Sequence, residues 1–148
     1  MIIGVTDHYT YGYKDMESLL ELSDVEESLL LEKTPCFIWS PDLEAMAVKK
    51  VLNTSDLLPT VLNLLGVVSP YDYIGHDAFD PEYAGFVPFS NGSWILGDAA
   101  YDASGKKFIS ISGKQQTVSA ETQQTMTERV QEFIQINNLI LEADYYRQ

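Results

Sequence analysis

Cysteine and histidine are almost missing from this chain: one Cys and two His in 148 residues. A single cysteine excludes a disulfide framework within the chain. The lack of disulfides suits a cytosolic protein and a Gram-positive surface protein alike, so it does not fix the compartment. Cys36 stands in "PCFIW", which reads as a buried strand, and the expectation is a packed, inert thiol. Positive charge is also scarce. Nine basic residues face 22 acidic ones, for a net charge of −13. That excludes the basic stripe nucleic-acid binding needs and disfavours docking on anionic membranes. There is no signal or transit peptide and no run of about 18 apolar residues, so the chain itself is expected to be soluble.

What is present is a globular composition. Hydrophobic residues make up 45%, with nine Tyr, six Phe and two Trp. That is enough apolar material for a core and excludes a disordered chain. The opening "IIGVT" reads as an interior strand covered on both faces, because its apolar run does not alternate. Such a strand starting at residue 2, with no lead-in, leads us to expect the C-terminal part of something longer.

Further along, "DMESLLELS" reads as a short helix capped by Asp15, with Leu19, Leu20 and Leu22 as its apolar face. "SDVEESLLLEKT" is ambiguous, loop with some helix. "CFIWS", between Pro35 and Pro41, reads as a second buried strand. "SDLLPTVLNLLGV" carries the clearest helix pattern. Ser55 or Asp56 caps it, Pro59 falls in the first turn, Leu58, Val61, Leu62 and Leu65 form a stripe, and Gly66 stops it.

The second half changes character. "GFVPFSNGSWILGD" predicts a hairpin around Asn91-Gly92, and "AAYDASGKKFISIS" a second around Ser104-Gly105. The final stretch predicts one long helix. Met126, Val130, Phe133, Asn137 and Ile140 share a face, and Ser119 and Thr122 are candidate caps. The expected fold class is therefore α/β: short strands paired in parallel with helices, a small antiparallel hairpin unit and a long C-terminal helix. The expected divisions are 1–85, an α/β core portion; 86–118, the hairpin subdomain; and 119–148, the helix.

The chemistry-bearing feature is Asp7-His8, directly after the first strand. Ligands gather at the C-terminal ends of strands in α/β sheets. A carboxylate and an imidazole side by side suit Zn²⁺ or Mn²⁺. Alone, the dipeptide fits a structural role at least as well as a metal site.

The segments "TDHYTYGY", "PCFIWSPDLE", "NTSDLLPTVLNLLGV", "YIGHDAFD", "FSNGSWILGD" and "NNLILEADYYR" change that balance. In this order, over nearly the whole chain, they resemble the C-terminal part of the sulfatase-type catalytic domain of lipoteichoic acid synthase-like proteins, in the alkaline phosphatase superfamily. The resemblance implies a phosphoglycerol transferase or related hydrolase. A threonine nucleophile attacks a phosphodiester beside a divalent cation, Mn²⁺ above all, with Zn²⁺, Mg²⁺ or Ca²⁺ as alternatives. Asp7 and His8 take the place of two of its metal ligands.

The nucleophile, the acidic ligand and the phosphate-holding His and Arg of that family lie upstream of such a strand. The resemblance therefore implies no catalytic residue within these 148 and an inactive isolated piece. Its implied partners are the missing N-terminal part of the same domain and a glycerol-phosphate-type lipid or polymer. The parent protein is expected to be membrane-anchored, with its catalytic domain outside the cytoplasmic membrane. Departures exist: Thr10 stands where relatives often carry Pro, and His76 where a basic residue is common.

Several residues also have plain readings. Thr60 belongs to a helix that packs on a sheet, His76 is a surface-loop histidine, and Trp39 and Trp94 are core or edge aromatics. The "HYTYGY" loop suits packing or a substrate groove equally. Glu142 and Asp144 face solvent. Loss of neighbouring strands would expose sheet edges and apolar faces, so self-association is expected. The competing reading is a naturally short, non-catalytic module that binds a cell-wall polymer or a protein.

Overall fold

The computed structural model describes residues 1–6, 8, 15–25, 28–112 and 118–147, with Ser28 described by its backbone alone. The chain is mixed α/β and divides into two compact units, residues 1–47 and 48–148.

The first unit contains β1 (Ile2–Val5), α1 (Met16–Ser23), a 3₁₀ turn at Ser28–Glu32 and β2 (Cys36–Trp39). β1 and β2 form a two-stranded sheet, antiparallel with Ile2 opposite Trp39 and Val5 opposite Cys36. The parallel pairing expected from strand–helix–strand order is thus corrected. The intervening segment leaves and returns at the same end of the sheet. A helical pattern between two strands announces a helix, not the direction in which it carries the chain.

The expected burial is corrected as well. Ile2, Ile3, Val5, Phe37 and Trp39 are exposed, and so is the Cys36 thiol. A continuous apolar run encodes a strand suited to cover on both faces; two strands alone supply no cover. α1 forms as its sequence predicts. The Asp15 carboxylate accepts the Ser18 N–H at 2.7 Å and the Ser18 hydroxyl at 3.1 Å. Those bonds hold the Asp15 carboxyl below its usual range. Leu19 of α1 and Leu31 of the 3₁₀ turn are buried.

The second unit contains α2 (Leu57–Leu64), the meander β3 (Phe86–Pro88), β4 (Trp94–Leu96), β5 (Ala99–Asp102) and β6 (Lys107–Ser110), and α3 (Ala120–Glu142). Its strands pair antiparallel in sequence order. Both expected hairpins are present. At the first, Asn91 Oδ1 accepts the Ser93 N–H at 2.9 Å and Gly92 takes φ 91°, a conformation that favours glycine. At the second, Asp102 Oδ1 accepts the Ser104 N–H at 2.9 Å.

α3 starts at Ser119, whose side chain accepts the Thr122 N–H at 3.0 Å. It packs on β4 and closes the core of Tyr83, Phe86, Trp94 and Val130, with Met126 and Ile134 against it. Asn137, expected on the inner face, is exposed. The Tyr145–Arg147 turn after α3 lays Tyr146 against Tyr73, rings stacked 5.6 Å apart. Glu142 and Asp144 are exposed, and Asp144 pairs with Arg147 at 3.2 Å.

α2 departs from its expected face. Leu58 and Leu65 are half exposed, and the buried residue is Thr60. A short 3₁₀ turn, Thr54–Asp56, precedes the helix and is capped by Asn53. Asp56 therefore turns its side chain away from the α2 N-terminus and serves another purpose. Gly66 ends the helix at φ 65°, as its sequence predicts.

Candidate functional site

The two residues singled out from sequence fall in the first unit. His8 lies three residues beyond the end of β1 and is exposed. Asp7 lies outside the described residues, as does the Tyr9–Tyr13 stretch of the aromatic loop. Among the described residues, no three His, Cys, Asp or Glu side chains gather closely enough to hold a metal ion. Asp7 and His8, adjacent in sequence after β1, are a carboxylate and an imidazole, donor types that suit a borderline cation, and a dedicated site uses three or four such donors.

In the second unit, a polar hub is built around Asp56, which is 1% exposed. Oδ2 accepts the Asn53 N–H at 3.0 Å and the Tyr83 hydroxyl at 3.0 Å; Oδ1 accepts the His76 N–H at 2.8 Å. Three donors satisfy a carboxylate that has left water, and no cation is needed. Tyr83 OH also accepts the Phe86 N–H at 3.0 Å. Burial, and the Asp56 charge beside it, push the Tyr83 phenol up to about 12. The Asn53 amide donates to Phe86 O at 3.0 Å, which ties the start of β3 to the same hub.

The hub explains Thr60. Its Oγ1 donates to Asp56 O at 2.6 Å and accepts the Ala78 N–H at 2.8 Å. The hydroxyl is consumed in holding the 74–86 connection to α2, a structural role. His76 is at the surface, as expected, and its ring stacks on Tyr83, centroids 4.4 Å apart and 11° from parallel. Lys50 reaches Asp80 O at 2.6 Å and passes 5.9 Å above the Tyr83 ring. On the α3 side, the Arg129 guanidinium lies 4.4 Å over Phe86.

Sequence reading missed this assembly. Asp56 carried the signature of a helix cap, and nothing near Tyr83 or Arg129 announces a partner tens of residues away.

Comparison with known proteins bears on both units. No family model matches the chain. Lipoteichoic acid synthase 2 of Bacillus subtilis is 28% identical over 155 residues, covering 99% of this chain and 23% of that protein. Lipoteichoic acid synthase of Staphylococcus saprophyticus is 26% identical over 153 residues, again covering 99% of this chain and 23% of that protein. Over 99% of its length the chain is thus similar to lipoteichoic acid synthases. It spans 23% of the length of each synthase, so it corresponds to a part of them, in keeping with the C-terminal part of the catalytic domain. The resemblance read from six segments in order along the chain is thus borne out: the similar proteins are lipoteichoic acid synthases. Among the described residues, no helix is long and apolar enough to cross a membrane.

Proposed function

We propose that this chain is the portion of a metal-dependent, cell-envelope phosphoglycerol transferase, or of a related sulfatase-like hydrolase, that completes its cation site. The observation that carries the reading is the similarity to two lipoteichoic acid synthases across 99% of the chain. Asp7 and His8 would hold the cation, Mn²⁺ above all, through a carboxylate oxygen and an imidazole nitrogen. A divalent cation in such a site activates a hydroxyl nucleophile and neutralises charge on a phosphoryl oxygen. The remaining donors and the threonine nucleophile belong to polypeptide outside these 148 residues.

The substrate class is a glycerol-phosphate-bearing lipid or polymer. The parent protein is anchored in the membrane with this domain outside it. The exposed apolar side chains of β1 and β2 support a partner surface for the remainder of the domain. Without that remainder, the chain is expected to self-associate, read as a concentration-dependent mass by light scattering.

The deciding experiment is a phosphodiesterase assay with Mn²⁺ on this chain and on a polypeptide that restores the rest of the domain. The chain alone should show no turnover. The restored polypeptide should be active, and His8→Ala should reduce its rate by about 100-fold or more. Turnover by the chain alone that His8→Ala abolishes would overturn the reading.

A further inference from the structure

Arg129 of the second unit makes no hydrogen bond or ion pair with a described residue; its guanidinium carbon lies 4.4 Å from the Phe86 ring, and its charge also acts on the Tyr83 hydroxyl. Shortage of acids is not the cause. The chain has 22 acidic residues to nine basic, and of the recesses Arg129 lines, the first also has Asp80 and Glu82 and the second Asp56 and Glu132. The guanidinium, a planar fork of five N–H donors, sits over an aromatic face with none of those donors bonded to a described residue. That is how proteins present arginine to carboxylates and phosphates.

The surroundings define what would fit. Two recesses, of about 240 and 210 Å³, both take His76, Tyr83, Phe86 and Arg129 into their walls. The second adds the apolar Ile74, Phe133 and Ile136 beside the cation, together with Asn53, the fully hydrogen-bonded Asp56 and Glu132. His76, whose side chain makes no hydrogen bond with a described residue, lines both recesses along with the arginine. Both recesses are smaller than the roughly 300–1,000 Å³ of sites for drug-sized ligands, so the occupant is small.

From this geometry we infer that the recess between the 74–86 connection and α3 binds a small organic anion: a carboxylate or phosphate monoester head on Arg129, with a short apolar body against Ile74, Phe133 and Ile136. The hub beneath keeps the walls in place. Asp56 fixes the His76 backbone and the Tyr83 hydroxyl, and Tyr83 carries the stacked imidazole. The site is preorganised, which is what lets a small ligand bind at all. The inference uses neither Asp7 nor His8, so it stands or falls apart from the proposed metal chemistry.

The test is a titration of the full chain, followed by amide chemical shifts and calorimetry, with sodium hexanoate as the probe. Saturable binding is expected with a Kd of about 1 mM, the range for a ligand of this size. Hexanol and hexylammonium should not saturate, since they lack the anionic head. Inorganic phosphate should bind about tenfold more weakly, since it lacks the apolar body. Arg129→Gln should weaken hexanoate by about tenfold or more, and Arg129→Lys should restore only part of it.

Hexanol saturating as tightly as hexanoate would overturn the anionic subsite. Equal binding of hexanoate by Arg129→Gln, or no saturation by the wild-type chain, would overturn the site itself. The wild-type comparison of hexanoate with hexanol decides the matter even where the Arg129 variant does not fold.

Discussion

The Asp56 carboxylate accepts the Tyr83 hydroxyl at 3.0 Å across 27 residues of sequence. Through it, the 3₁₀ turn before α2, the 74–86 connection and the start of β3 share one anchor. Asp56→Ala would remove the acceptor shared by two part-buried N–H groups, of Asn53 and His76, and by the buried Tyr83 hydroxyl, which keeps a longer bond to Phe86 O at 3.3 Å. With about 1–3 kcal/mol for each group left unpaired out of water, the expected loss is about 2 kcal/mol or more in urea unfolding of the chain. Asp56→Asn preserves the shape but points an NH₂ at one of those donors, so it should cost less than the alanine and more than nothing.

Tyr83 gives the same hub a pH signature. Its phenol is pushed from the ordinary 10 up to about 12, first by burial. A folded-state value above the unfolded one means the folded protein holds a proton the unfolded chain gives up. The stabilisation is therefore complete below pH 10 and is lost as pH rises from about 10 to about 12. The loss should reach about 2 kcal/mol, allowing for partial solvent screening. Denaturant midpoints recorded across that range should fall steeply. In Tyr83→Phe the tyrosine-linked part of the fall should vanish, from a baseline already lowered by the lost bond to Asp56.

Thr60 separates a structural hydroxyl from a chemical one. Its Oγ1 bridges Asp56 O and the Ala78 N–H, so Thr60→Val, equal in shape, should lower stability by about 1–3 kcal/mol. Thr60→Ser should retain most of it. In a polypeptide that restores the whole domain, Thr60→Ser should leave the rate unchanged within about twofold. A rate loss of about 100-fold with stability intact would instead make Thr60 a reacting group.

Gly75 sits where the 74–86 connection crosses the turn before α2. A Cβ there would drive into the Ser55 carbonyl and the Asp56 N–H, both backbone groups that cannot swing aside. Gly75→Ala should therefore cost about 2–4 kcal/mol and should perturb the amides of Asp56 and His76 together. An unchanged unfolding midpoint would mean that the connection does not approach so closely.

Local chemistry was the legible part of the sequence. Asp15 and Ser119 cap helices, Asn91-Gly92 turns a hairpin and Gly66 stops α2, because each acts on neighbours within four residues. Direction and cover were not legible. "IIGVT" and "CFIWS" encode strands suited to burial, yet nothing within them states that they pair antiparallel or which surfaces should cover them. The hub was hidden for a related reason. A capping aspartate and a buried anchoring aspartate look alike in sequence, and only the distant arrival of Tyr83 and His76 tells them apart. After β1, the Asp-His dipeptide names donor types but not how many donors would gather.

The two tryptophans offer a direct check on the exposed sheet. Trp94 is 0% exposed in the core under α3, whereas Trp39 in β2 is 55% exposed, in the same strand as the exposed Cys36 thiol. Acrylamide should quench the native fluorescence in two phases, and Trp39→Phe should remove the accessible one and leave a blue-shifted emission. A thiol reagent should label Cys36 in the native chain at a rate within about tenfold of the unfolded chain, since no packing shields it. When the rest of the domain is restored and covers β1 and β2, both signals should close together: quenching of Trp39 falls and Cys36 labelling slows by about 100-fold. Protection of both residues already present in dilute, monomeric chain would show the sheet covered by its own unit, and the surface proposed for the missing polypeptide would be withdrawn.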